Sequence, residues 1–389
     1  MRMCSLEDLK PGDVLGRSIF LSNNRLLLGA GYRVTREIRT KLIEKGYSHV
    51  YIMEKGTEDV IPEDVISEEV RAETKLKLED KVEKIKKSVQ FREKSYVKVM
   101  ESLEKGNLKE VEINHEMRKI VKEIILEITS SDIKFMNTIM IKSADTFFFD
   151  HALNTTVLAV LIGKKYRFDK SELINLGMGS FLHDIGKVII EQVDKQKDDK
   201  RIIDYYKEHP TFGYLLLSND KNISPLVLQT VNQHHEQQDG KGFPLGLRGN
   251  NLPPVKTNKH EKGCIYRLAE ICCVAGAYDR MLLNPLEGKK MLPSDVIKEL
   301  LRCAGSIYNK NIVETLVQII PIYPVGSLIK INNIVDPALV GCYGVVAKIN
   351  EKDLKKPTII ITTNKYRKKI KPIIIDTSKL NHLEIKLII

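Results

Sequence analysis

Five of the nine histidines in this chain fall between residues 151 and 235, beside other groups that bind metals or phosphate. In order they are His151, the run His183-Asp184-Ile185-Gly186-Lys187, His209, and His234-His235-Glu236. Adjacent His-Asp and His-His pairs are costly to bury unless a partner repays the lost hydration. Divalent first-row ions are such partners, because neutral imidazole and carboxylate are their usual ligands. The His183-Asp184 pair can supply one nitrogen and one bridging carboxylate to two ions. A carboxylate between two ions lowers their repulsion and fixes their spacing. Ions held this way activate water and hold phosphoryl oxygens as Lewis acids. Lys187 lies one helical turn beyond His183, within reach of a phosphate oxygen at the same place. His151, His209, His234 and His235 complete a nitrogen-rich shell suited to iron or manganese. Any one of these histidines alone reads as a hydrogen-bonded core residue. The ordered set is what points to metal.

The gaps between the four clusters each match a helix plus a return turn, so consecutive helices of a bundle can bring them to one point. The surrounding pattern agrees. Residues 131–320 carry helical periodicity, broken by loops at 191–200 and 236–262, the second rich in Gly, Pro and Asn. Residues 1–65 read as a small α+β module. A Leu9-Lys10-Pro11-Gly12-Asp13 turn and a hairpin about Asn23-Asn24 precede a helix that follows Thr35 and ends at Gly46. Val50-Tyr51-Ile52 is a return strand. Residues 66–130 are highly charged and almost free of Gly and Pro, which predicts one or two long helices. They read either as a solvated connector or as a dimerisation arm. Residues 321–389 read as a small β-rich module, with strands over Pro324-Val325-Gly326, Gly341–Val346 and Thr358–Ile361. The expected fold is therefore multidomain and mainly α, with a helical-bundle core between two small modules.

Composition narrows the function classes. A chain of 389 residues with 42% hydrophobic content suits two or three domains with real cores. No uninterrupted apolar run approaches the roughly 18 residues of a membrane span, and the N-terminus lacks a signal-peptide core. The six cysteines show no framework spacing and read as reduced thiols, with Cys272-Cys273 as core. These features predict a cytoplasmic protein. The net charge of +11 comes from lysine spread along the whole chain, without a basic module interleaved with aromatics. DNA and RNA are therefore not expected partners, although positive charge helps attract a small phosphate ligand.

The motifs His183-Asp184-Ile185-Gly186-Lys187 and His234-His235-Glu236-Gln237-Gln238-Asp239-Gly240-Lys241-Gly242-Phe243-Pro244 resemble the two defining motifs of HD-GYP domains, a branch of the HD phosphohydrolase superfamily. The resemblance extends to His151-Ala152-Leu153-Asn154, to Gly177–Leu182, and to Glu208-His209-Pro210 with Gly213-Tyr214. It spans about residues 140–290. It implies a helical bundle with a two- or three-metal centre that hydrolyses cyclic di-GMP to linear pGpG, in some members onward to GMP, in bacterial second-messenger signalling. It implies metal ligation by His151, His183, Asp184, His209, His234 and His235, with Lys187 and the metals stabilising phosphoryl charge. Asp145, Gly242 and Phe243 are then candidate substrate contacts, and the Gly-Phe-Pro loop a candidate surface for a protein partner. A homodimer is also expected.

Several positions depart from the family pattern. Gly276 stands where a ligand aspartate is expected, and Asp279, one turn on, is the candidate replacement ligand. Phe147 stands where three-metal members carry a carboxylate, so two ions are expected and a third is not. Pro285 stands where a phosphate-binding arginine is expected, with Lys289 and Lys290 as candidate substitutes. The loop at 251–264 is longer and more basic than usual and contains His260 and Glu261. Two readings stay open: an active cyclic di-GMP phosphodiesterase, and a degenerate domain that binds cyclic di-GMP or a partner protein without turnover. A phosphohydrolase for another nucleotide fits less well, given the HHExxDGxG motif.

Overall fold

The computed structural model describes every residue except 21–25, 63, 89–95, 106–113, 132–135, 137–146, 192–203, 257–260, 283–290, 381 and 389. At the N-terminus, strand β1 (Arg2–Ser5) pairs antiparallel with β4 (His49–Ile52), and β2 (Ile19–Phe20) pairs with β3 (Leu26–Leu28). The Asn23-Asn24 turn lies outside the described residues. Helix α1 (Arg36–Glu44) starts where Thr35 accepts a hydrogen bond from the Ile38 N–H. Gly46, at φ +71°, lets the chain leave that helix. Cys4, Leu6, Leu15, Leu42 and Val50 form the small core of this module.

The central helices run α2 (Glu68–Ser88), α3 (Tyr96–Glu104), α4 (Asn114–Ser130), α5 (Phe147–Lys165), α6 (Lys170–Leu182), α7 (Lys187–Ile190), α8 (Tyr205–Ser218), α9 (Pro225–Gln233), α10 (Arg267–Met281), α11 (Pro293–Cys303) and α12 (Lys310–Val317). Helix α5 is buried over most of its length and packs against α6 and α10, while α6 also packs against α9. Asp169 and Glu172 form a reciprocal capping box that starts α6. The stretch Lys170–Ile190 is long and apolar enough to cross a membrane by composition, but 83% of its most apolar part is buried inside the protein. It is a core element of this bundle and carries His183 and Asp184.

The helices of 66–130 are neither a solvated connector nor a free arm. Leu78, Val82 and Ile85 of α2, Val99 and Leu103 of α3, and Met117, Ile120, Val121 and Ile124 of α4 belong to the same core as the α5 and α6 side chains. Their charge misled the reading, because these helices are amphipathic and only their outer faces are solvated. Charged groups on α2 also turn inward. Lys75 pairs with the buried Asp150 of α5 at 2.9 Å.

The C-terminal strands β5 (Leu328–Ile334), β6 (Tyr343–Lys348), β7 (Thr358–Thr363), β8 (Lys369–Asp376) and β9 (Leu383–Ile388) form one antiparallel sheet in the order β8-β7-β6-β5-β9. The expected strand over Pro324–Gly326 is instead a turn, with Gly326 at φ +85° against the Tyr51 ring. This turn joins the two small modules, since the Met3 N–H donates to the Gly326 carbonyl at 2.7 Å.

Leu78 is only 1% exposed in the shared core. Leu78→Ala is expected to destabilise the protein by about 2–5 kcal/mol. Thermal unfolding checks this, and a change within experimental error would mean that α2 does not pack on the bundle in solution.

Candidate metal centre

Three histidines of the cluster sit where the backbone leaves a carbonyl free. His183 caps the C-terminus of α6, and its Nδ1 donates to the Ser180 carbonyl at 2.7 Å. His234 caps α9, and its Nδ1 donates to the Val231 carbonyl at 2.7 Å. Carbonyls in a last helical turn have no intrahelical partner, so the imidazoles satisfy them. His209 reaches the same arrangement inside α8. Pro210 has no N–H to give the Tyr206 carbonyl, and His209 Nδ1 takes that acceptor at 2.5 Å. His151, in the first turns of α5, turns its Nδ1 to Asp279 Oδ2 at 2.8 Å.

These four bonds decide the tautomers. A carbonyl or carboxylate can only accept, so each Nδ1 carries the proton and each Nε2 presents a lone pair. The four Nε2 atoms point inward in two pairs. His151 Nε2 lies 3.2 Å from His183 Nε2, and His209 Nε2 lies 3.1 Å from His234 Nε2. Asp184 stands between the pairs. Its Oδ2 is 3.4 Å from His183 Nε2 and 3.8 Å from His151 Nε2. Its Oδ1 is 3.1 Å from His209 Nε2 and 3.7 Å from His234 Nε2. His235 completes the second group, whose ligand atoms all lie within 4.8 Å of one another, as do those of His151, His183 and Asp184. Asp184 Oδ1 and His235 Nε2 are buried and have no hydrogen-bond partner. Lone pairs facing lone pairs beside an orphaned carboxylate oxygen is a donor set that fits cations.

The electrostatics agree. Burial holds His183 and His235 well below the usual histidine range, lowers His151, and lowers His234 to about 4. Neutral imidazole is the form that ligates. Burial opposes charge on Asp184, but neighbouring His183 and the Lys187 ammonium hold its carboxyl well below the usual range. Lys187 Nζ sits 2.5 Å from Asp184 Oδ2 and is the partly exposed member of that pair.

The structure moves Asp279 out of the ligand set. It bonds the Nδ1 side of His151, opposite the inward nitrogen, and its Oδ1 accepts from Asn154 Nδ2 at 2.9 Å. It fixes the orientation of the His151 ring and belongs to neither group of converging donor atoms. Gly276 leaves room beside the first pair, since a Cβ there would meet nothing closer than Thr155 Cγ2 at 3.6 Å and would lie 3.9 Å from His151 Cε1. Phe147 stacks on His151 with centroids 5.7 Å apart. Phe243 is packed on its own domain, 4.6 Å from the His235 ring and nearly parallel to it. A side chain at Gly242 would strike the Glu236 backbone at 2.5 Å, so that glycine serves its own loop's folding. Asp145, Lys289, Lys290, Pro285 and His260 lie outside the described residues.

Sequence reasoning passed over other residues of the site. Glu236 is quoted in the motif without a role. Its carboxylate accepts from the Leu245 and Leu247 N–H groups at 2.7 and 2.8 Å, which ties down the Gly-Phe-Pro loop. Glu270 of α10 is buried and accepts from Gln238 at 2.6 Å and Asn309 at 3.2 Å, which fixes the same loop from below. Tyr206 and Arg280 stand at the rim, joined at 2.7 Å. Only the Glu236 position, inside a recognised motif, carried a readable signal.

Residues 148–281 match the HD domain model. The chain is 22% identical over 244 residues to cyclic di-GMP phosphodiesterase PA4108 of Pseudomonas aeruginosa, covering 61% of this chain and 54% of that protein. It is 24% identical over 186 residues to cyclic di-GMP phosphodiesterase PdeB of Borreliella burgdorferi, covering 47% and 45%. The matches thus span about half the length of these two relatives. Among solved structures, Bd1817, an HDG"Y"P protein of Bdellovibrio bacteriovorus, aligns over 81% of this chain and 97% of its own at 16% identity, with a TM-score of 0.45. The matched stretch holds all five histidines of the cluster.

A Cβ on Gly186 would lie 2.0 Å from the His209 carbonyl oxygen and 2.5 Å from the Gly213 nitrogen. Both are backbone atoms that cannot rotate away. Gly186→Ala should cost about 2 kcal/mol or more and push His209 from the cluster. Calorimetry with elemental analysis reads both effects, and a stable variant with unchanged metal content would contradict this packing.

Burial raises the Glu270 carboxyl to about 7. Its folded pKa lies above the unfolded value, so the native state holds the proton more tightly. Stability should therefore fall as pH rises from about 4.5 to about 7, by about 3 kcal/mol in all. Melting curves of wild type and Glu270→Gln across this window should converge at low pH and diverge toward neutrality. Parallel curves would remove this role from Glu270.

Proposed function

We propose that this chain is a metal-dependent phosphodiesterase that hydrolyses cyclic di-GMP to linear pGpG. One observation carries the reading: a single buried carboxylate, Asp184, offers one oxygen to each of two inward-facing histidine pairs. The names of the relatives supply the substrate class. In this reading His151, His183 and Asp184 Oδ2 hold one divalent ion, iron or manganese. Asp184 Oδ1, His209, His234 and His235 hold the other. Bound there, such ions polarise phosphoryl oxygens and lower the pKa of water. The protein's own groups do the rest. Asp279 and the carbonyls of Ser180, Tyr206 and Val231 keep the imidazoles neutral and aimed. Lys187, partly exposed and paired with Asp184, is placed to take a phosphoryl oxygen.

A second reading, binding without turnover, draws on Gly276. The His151–His183–Asp184 group has three protein donors, and the neighbouring position adds none. Elemental analysis, with turnover measured in anaerobic buffer containing iron or manganese, separates the two. The expected outcome is two ions per chain and release of pGpG. Full metal occupancy with no pGpG would overturn the first reading. Metal-free protein that still binds the dinucleotide would support the second. His183→Ala should abolish metal binding at its group. Lys187→Ala should keep the metal and slow turnover by about 100-fold.

A further inference from the structure

Arg280 is a cation beside the metal centre that the preceding reading leaves without a task. It follows Asp279 on α10, so the same helical turn orients His151 and carries the guanidinium. Its Nη1 donates to Tyr206 Oη at 2.7 Å. The Tyr206 ring lies 5.4 Å from His209, 5.6 Å from His235 and 6.0 Å from Phe243, with Lys187 Nζ 5.8 Å from its centroid. Tyr206 is 47% exposed, so the pair stands where the cluster opens to solvent.

The guanidinium is incompletely satisfied. Its Nε is buried and has no hydrogen-bond partner, and no carboxylate among the described residues forms an ion pair with it. The nearby anion, Asp184, is engaged by Lys187 and ringed by imidazoles. A half-buried arginine whose Nε is buried without an acceptor is unfavourable, and divalent ions in the cluster would add repulsion. What resolves both is a ligand anion with two oxygens matched to a planar fork of donors.

We propose that Arg280 is the phosphate receptor of this site, held by Tyr206 so that its free N–H groups grip a non-bridging oxygen of the phosphodiester at the cluster. This assignment rests on the phosphodiesterase reading for its substrate, but not for its chemistry. The guanidinium adds a second cation, beside Lys187, to neutralise phosphoryl charge. Tyr206 sets its angle and closes the space between Phe243 and His209. Neither residue ligates metal.

The test uses the metal-loaded full chain and inorganic phosphate as the probe. Calorimetric titration should show phosphate binding about tenfold weaker in Arg280→Ala than in wild type, at equal metal content. Arg280→Lys should recover part of the loss. With cyclic di-GMP, KM should rise by about the same factor, with a smaller change in kcat. Phosphate affinity within twofold of wild type at equal metal content would overturn the assignment. If Arg280→Ala does not fold, Tyr206→Phe keeps the charge and removes only its anchor. That variant should weaken phosphate binding about threefold, and an unchanged affinity would equally overturn the proposal. If wild type fails to cleave cyclic di-GMP while Arg280→Ala still loses phosphate affinity, the receptor stands and the phosphodiesterase reading falls.

Discussion

The centre depends on four hydrogen bonds that point away from it. Each of His151, His183, His209 and His234 gives its Nδ1 proton outward, and that fixes a lone pair on each inward nitrogen. Without those outer acceptors the rings would be free to flip or to bond one another. With them, the two nitrogens of each pair meet at hydrogen-bond distance with no proton to share, and Asp184 lies between the pairs. Three of the outer acceptors are helix carbonyls that lack an intrahelical donor. Two of the histidines are C-caps, and the third makes its own free carbonyl by preceding a proline. Secondary structure and ligand geometry are here one constraint.

The fourth acceptor, Asp279, ties the centre to the rest of the chain. Its second oxygen accepts from Asn154, whose own oxygen is 3.4 Å from Arg71 Nη1 on α2. Arg71 lies 4.0 Å from Asp64, which also holds Arg17 of the N-terminal module. A polar chain thus runs from the small N-terminal unit through α2 to the imidazole of His151. The segment 66–130, whose charge suggested a solvated spacer, supplies the middle of that chain and part of the bundle's core. Its inward cations are stabilised by named partners, as Lys75 is by Asp150.

What was legible in the sequence was local and repetitive. The histidine spacing and the HD pair indicated helices converging on one point, and the Thr35 and Gly46 signals bounded a short helix. The contribution of Pro210 was visible only as a residue next to His209. Its purpose requires knowing which carbonyl it deprives of a donor. Asp279 was placed in the ligand set because one-dimensional spacing gives the turn of a helix but not which side of an imidazole a carboxylate meets. The role of 66–130 was missed because charge fraction hides an apolar stripe. Arg280 and Tyr206 have no motif at all. They lie 74 residues apart in sequence and meet only in the fold.

The balance of donors explains why charge at the rim matters. Five imidazoles contribute nitrogen but no charge when neutral, and Asp184 is the one carboxylate among the grouped ligands. Gly276 adds nothing where a second carboxylate would fit by space. On the phosphodiesterase reading, two divalent ions in such a shell would leave an excess of positive charge over the described ligands, and Lys187 and Arg280 would increase it. A phosphoryl anion would then stabilise the centre, since its oxygens would supply negative charge at short range in a weakly screened site. On the phosphodiesterase reading, affinity for the ions and affinity for the substrate are therefore coupled, each strengthening the other by the same factor.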